Sequence, residues 1–161
     1  MNFARHFCQK FSKVYKVTKV QPEEDRIYYQ PHFATNASGL ICSIPVSNIN
    51  KSSIRRPLKK KDFSQFFNDL LEELKKEETE INIKEIKAAI HSTDLNKKSE
   101  LIARLWSIKQ DEELKFTPSQ KSYLESLINS LKEELAYLLN IDPQSAEQKL
   151  YSVLECRQKV F

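Results

Sequence analysis

Glycine is almost missing from this sequence: Gly39 stands alone among 161 residues, where an average chain carries roughly 7%. Phosphate loops of the Walker type and the dinucleotide fingerprint each need several glycines so that backbone can approach phosphate, and both are therefore excluded. The same scarcity leaves little material for tight hairpins and bulges that use positive φ. Cysteine is sparse too. Cys8, Cys42 and Cys156 form no CxxC pair, and an odd, widely spaced set argues against a disulfide framework or a zinc site and for a reducing compartment. His6, His32 and His91 are far apart and make no HExxH or His-Cys grouping, so no metal site is expected. No apolar run approaches the roughly 20 residues that span a bilayer, and the N-terminus lacks the continuous apolar core of a secretory signal. The Asn36-Ala37-Ser38 sequon is accordingly expected to stay unmodified.

Acids are missing from one end. Residues 1–61 hold twelve Lys or Arg against Glu23, Glu24 and Asp25, a net charge of +9, while the remaining hundred hold fourteen against nineteen, a net −5. Such asymmetry predicts a basic tail on an acidic body.

The tail reads in three parts. Residues 1–20 contain no acid, and Phe3, Phe7, Phe11 and Tyr15 recur every four. On a helix that spacing lines four rings along one side with most of the lysines off it, the physical form of a mitochondrial transit peptide. Residues 21–50 carry Pro22, Pro31 and Pro45 among β-prone pieces at Ile27 to Tyr29 and Leu40 to Val46. Proline offers no N–H to a ladder, so this stretch reads as an extended strap that orders on contact, anchored by Tyr28, Tyr29 and Phe33, and not as a sheet. Residues 51–61, KSSIRRPLKKK, end in five cations at Arg55, Arg56, Lys59, Lys60 and Lys61. Like charges at this density need solvent or a polyanion, and the run has the composition of a nuclear address as much as of a phosphate-binding patch.

From Asp62 onward the pattern turns helical. Asp62 with Gln65 and Asn82 with Glu85 fit capping boxes, Asp94 opens a third helix, Thr117-Pro118-Ser119-Gln120 combines a hydroxyl cap with proline at the first position, and Asp142-Pro143 opens the last. Leu124, Ile128, Leu131, Leu135 and Leu138 are spaced as a two-heptad seam, which predicts packing against the third and fifth helices. The expected core includes Phe67, Leu71, Ile86, Leu105, Leu131, Leu135 and Leu154. Trp106 falls in the apolar stripe and reads as core, and His91 as a helix-end residue facing carbonyls.

The fold class this predicts is all-α: a small bundle of four or five helices over 62–161, preceded by a long, largely extended basic tail over 1–61. No carboxylate sits in an apolar setting that would perturb it toward catalysis, so no catalytic residue, cofactor or small-molecule substrate is expected. An acid-free N-terminus, a strap and a small helical body together suit a structural subunit of a large mitochondrial assembly, foremost the mitochondrial ribosome, with the tail on ribosomal RNA or neighbouring subunits. Arg55, Arg56, Lys59, Lys60 and Lys61 are the leading candidate nucleic-acid contacts, and Lys10, Lys13, Lys16 and Lys19 the second group. The alternatives are an accessory subunit of a respiratory complex or ATP synthase, and a nuclear or cytosolic helical adaptor.

Overall fold

The computed structural model describes residues 5–8, 12–33, 41–52 and 54–156, and the chain divides into two units at Pro57 and Leu58. Where a strap was expected, the first unit is a curled five-stranded antiparallel sheet in the order β4-β3-β2-β1-β5. Its strands are β1 (Arg5–Cys8), β2 (Lys13–Gln21), β3 (Arg26–Pro31), β4 (Cys42–Pro45) and β5 (Ile54–Arg55). The all-α reading is thus overturned, and with it the keyword of a helical bundle for the whole chain: the fold is mixed α/β. The extended tail is replaced by paired strands.

The physical reason lies in where the prolines and the β-branched residues stand. Pro31 and Pro45 are the last residues of β3 and β4, and Pro22 opens a 3-10 turn over Pro22–Glu24. They punctuate the strands and do not interrupt them. Within β2, Val14, Val17, Thr18 and Val20 suit a pleated, half-buried surface far better than a helix. The aromatic spacing of four is then incidental. Directly paired residues share a face of an antiparallel sheet; because Phe7 pairs with Val14 and His6 with Tyr15, Phe7 and Tyr15 stand on opposite faces. Phe3 and Phe11 lie outside the described residues.

One face of the sheet is apolar. Cys8, Tyr15, Val17, Ile27 and Tyr29 are buried there, with Cys42, Ile44, Val46, Ile49 and Ile54 packed half-buried against them. Fully burying a large side chain of this kind is worth about 1.5–3 kcal/mol. Tyr29 is the centre of the cluster, at 1% exposure, with the Tyr15 ring edge-on at 6.5 Å. The β2–β3 connection turns without glycine: Asp25 takes a left-handed φ of 51°, and its carboxylate accepts bonds from the backbone N and the Oγ of Ser47 at 3.0 and 2.7 Å. Those bonds hold the Asp25 carboxyl below its ordinary pKa.

The second unit is helical: α1 (Lys60–Leu74), α2 (Ile83–Ile90), α3 (Leu95–Gln110), α4 (Pro118–Leu139) and α5 (Pro143–Cys156). Its start signals work largely by side-chain caps. Thr117 Oγ1 accepts from Gln120 N at 3.2 Å while Gln120 Oε1 accepts from Thr117 N at 2.7 Å. Asn82, Asp94 and Asp142 accept from Lys84 N, Lys97 N and Ser145 N. At α1 the boundary differs, because Lys59 is the N-cap and Asp62 occupies the third position, its Oδ2 accepting from Lys59 N at 2.7 Å. A carboxylate in the first turn is favoured by the helix dipole.

Within this unit α1 packs on α3, and α4 on α5, α3 and α2. Phe67, Ile86, Leu105, Leu131, Leu135 and Leu154 are buried, whereas Leu71 is only half-buried and Leu70 takes the interior position. Phe63, Phe66 and Phe67 form a ring cluster with centroids 5.3–6.4 Å apart. Trp106 is 5% exposed, beside Tyr151 and under the Lys109 ammonium. His91 caps the end of α2. Lys98, buried at 4%, donates from Nζ to Ser130 Oγ at 2.8 Å, which places a charged group inside the α3–α4 contact. No helix among the described residues is long and apolar enough to cross a membrane.

Candidate nucleic-acid interface

The face of the sheet opposite the apolar cluster carries five of the six strand cations, all but Lys13. Strand pairing sets Arg5 opposite Lys16, Lys16 opposite Gln30, Lys19 opposite Tyr28, Tyr28 opposite Ser43, and Gln21 opposite Arg26. In a regular strand Lys16 and Lys19 would point to opposite sides, because the side-chain period is two. The register shifts between Val17 and Lys19, and one extra residue, Thr18, brings both lysines to the same face. Such a bulge commonly re-aims a side chain. Thr18 Oγ1 holds the bulge by donating to Tyr28 O at 3.3 Å.

This basic face has two ends. At one, Phe7 and Val14 are buried, at 3% and 0% exposure, and the Arg55 guanidinium lies 4.6 Å from the Phe7 ring centroid. At the other, Lys19 and Arg26 are exposed, with Lys16, Tyr28 and Gln30 half-buried beside them. Arg26 Nη1 donates to Ser43 Oγ at 2.8 Å, which fixes the guanidinium alongside Tyr28. All strands together hold six Lys or Arg and no Asp or Glu.

The two groups of candidate contacts named from the sequence fall as follows. Lys10 lies outside the described residues. Lys13 is exposed at the start of β2 but pairs with Cys8, which puts it on the apolar side of the sheet. Lys16 and Lys19 are on the basic face. The run Arg55 to Lys61 straddles the unit boundary: Arg55 is half-buried in β5 and Arg56 exposed, while Lys59 caps α1 and Lys60 and Lys61 are exposed in its first turn. Arg26, Gln30 and Ser43 carry no sequence signal that singles them out, and Tyr28, read from the sequence as an anchor of the strap, stands on the basic face. Nothing short of the strand register joins them to Lys16 and Lys19, and the bulge that sets that register has no glycine to mark it.

Two histidines report on the charge around the sheet. The His32 pKa is lowered first by burial and then by Arg5 and Lys16, and that of His6 by burial and then by Arg56. His6 Nδ1 lies 3.1 Å from Tyr29 Oη. With pKa values depressed in the folded state, the unfolded chain binds more protons just below the ordinary histidine value, so stability falls as pH drops through that region. Acidification from pH 7 toward 5 is therefore expected to lower the unfolding midpoint of the sheet, read from the backbone NMR signals of Val17, Ile27 and Tyr29. The double variant His6→Gln, His32→Gln should flatten that dependence, and an unchanged profile would place the sensitivity on other groups.

In one cavity of the helical unit the lining carboxylates are held by neighbours. This cavity of about 410 Å³ is lined by Gln65, Asp69, Glu72, Glu73, Asn96 and Ser99. There Asp69 accepts from Gln65, Glu72 pairs with Lys75 at 2.6 Å and Glu73 with Lys76 at 2.7 Å. Among the described residues no three His, Cys, Asp or Glu are grouped so as to hold a metal ion. No family model matches the chain, and no curated protein matches it.

Proposed function

We propose that this protein is a non-catalytic structural subunit of a large RNA-containing assembly, the mitochondrial ribosome in the first instance, and that its N-terminal sheet unit makes the contact to RNA. The observation that carries this reading is a sheet whose strands contain six cations and no carboxylate, with five of the six, Arg5, Lys16, Lys19, Arg26 and Arg55, on one face. Clustered Lys and Arg on a single face are the electrostatic footprint of a phosphate-binding surface. A mitochondrial address in residues 1–20 has to be read from the unfolded chain and retained, because the same segment supplies β1 and most of β2.

Salt dependence tests the reading. Each phosphate neutralised on a single strand contributes about −0.7 to the slope of log K against log salt, so Lys16, Lys19 and Arg26 together should contribute about −2. Replacing all three by Gln is expected to flatten the slope by that amount while the far-UV spectrum stays unchanged. Association that does not respond to salt would move the protein to a protein-only interface, such as that of an accessory subunit in a respiratory complex.

A further inference from the structure

We propose that the basic face binds single-stranded RNA in preference to duplex, with a base stacked on Tyr28 and phosphates held by Lys16, Lys19 and Arg26. This deepens the polyanion reading given above and rests on it. The argument begins from Tyr28, which is half-buried on the basic face while its neighbour Tyr29 is buried in the apolar cluster on the other. Tyr28 stands at the end of that face with the exposed Lys19 and Arg26, away from the buried Phe7 and Val14. Its strand partners are Lys19 on β2 and Ser43 on β4, and Arg26 is tied to that same Ser43. An aromatic ring is thus ringed by two cations and a hydroxyl, with Gln30 two positions along β3 and paired with Lys16.

That combination selects among polyanions. A duplex keeps its base faces inside the helix and offers phosphates alone, whereas a single strand can splay a base onto a ring and keep its backbone on the neighbouring cations. An acidic peptide would engage the cations but leave the ring without a stacking partner. Gln30 and Ser43 add donors and acceptors that suit base edges. The bulge at Thr18 is what assembles the site, since without it Lys19 would face the apolar cluster.

The test uses the full chain and four fluorescent or competing probes: oligo-uridine, an RNA duplex of equal length, heparin and polyglutamate. Oligo-uridine is expected to bind at least about tenfold more tightly than the duplex, and Tyr28→Leu to weaken that binding about tenfold, the usual effect of losing one stacked base. Heparin affinity and the far-UV spectrum should both be unchanged by Tyr28→Leu, the spectrum showing that the variant is folded, and Tyr28→Phe should bind oligo-uridine as the parent does. Lys19→Gln with Arg26→Gln should weaken both oligo-uridine and heparin. Equal affinity for duplex and single strand, or no effect of Tyr28→Leu, overturns the stacking proposal and leaves the polyanion reading standing. Failure to bind either oligo-uridine or heparin overturns both, and preference for polyglutamate over RNA does the same in favour of an acidic protein partner.

Discussion

Removing residues 1–20 is expected to abolish the sheet, not to trim a loose tail. The deletion takes away β1 and all of β2 except Gln21, and with them Phe7, Cys8, Val14, Tyr15 and Val17, each at most 8% exposed. β2 is the central strand, paired on one side with β1 and on the other with β3. What is left is β3 beside β4, and two strands are marginal in water without a covered apolar face. Amide hydrogen exchange is the direct measurement. In the intact chain the amides of Val17, Ile27 and Tyr29 should be protected; in the truncated chain those of Ile27 and Tyr29 should exchange at the rate of an unfolded peptide. Retained protection there would mean that the N-terminal strands are dispensable. Limited proteolysis gives a second view, since the intact chain should be cut first near Pro57 and Leu58, where the two units divide.

Phe66→Ala is expected to destabilise the helical unit by about 3–5 kcal/mol, the usual range for emptying a buried phenylalanine site. Phe66 has 0% exposure, and its ring lies 5.3 Å from that of Phe67 and 6.4 Å from that of Phe63, so the deletion removes a member of the ring cluster as well as its burial. Leu71→Ala on the same helix is the control. Leu71 is half-buried, and its loss should cost nearer 1 kcal/mol, the centre of the range for point changes. Chemical denaturation followed by the fluorescence of Trp106, buried in the same unit, separates the two. Equal effects would contradict the assignment of Phe66 to the interior and of Leu71 to the margin.

The contrast between these two regions also explains what could be read in advance. Helix starts were legible because a cap is local: Thr117 and Gln120 satisfy each other within four residues, and no distant part of the chain is needed. α1 was misjudged by three residues for an equally local reason, since Asp62 serves the helix from its third position as well as it would from the cap. The sheet was not legible in that way. In the sequence of residues 1–20 lysines recur every three from Lys10 to Lys19 and aromatic residues every four from Phe3 to Tyr15, both close to the helical period, while the strand period of two is broken in β2 by the extra residue at Thr18. The β-branched content of KVYKVTKV was the signal that carried the right answer. Proline misled for the opposite reason, because a proline that ends a strand and one that breaks it look alike until pairing partners are known. Of the candidate interface, Lys16 and Lys19 were within reach of sequence reasoning. Arg26, Tyr28 and Gln30 join them only through a long-range register, and the compact basic run from Arg55 to Lys61 proved to be shared between two units.

The two outermost strands have a bearing on how the protein behaves in concentrated solution. A bare strand edge invites another chain to add itself, and native sheets counter this with short edges, charges and proline. Here one margin is β4, which ends in Pro45 and so presents no N–H at that residue, and the other is β5, only two residues long and ending in Arg55. Beyond the reach of β5 the outer side of β1 is Arg5 and His6. Each margin therefore discourages strand-by-strand growth, so that a surface rich in β-prone sequence is shielded from fibrous self-association by the same prolines and cations that shape it.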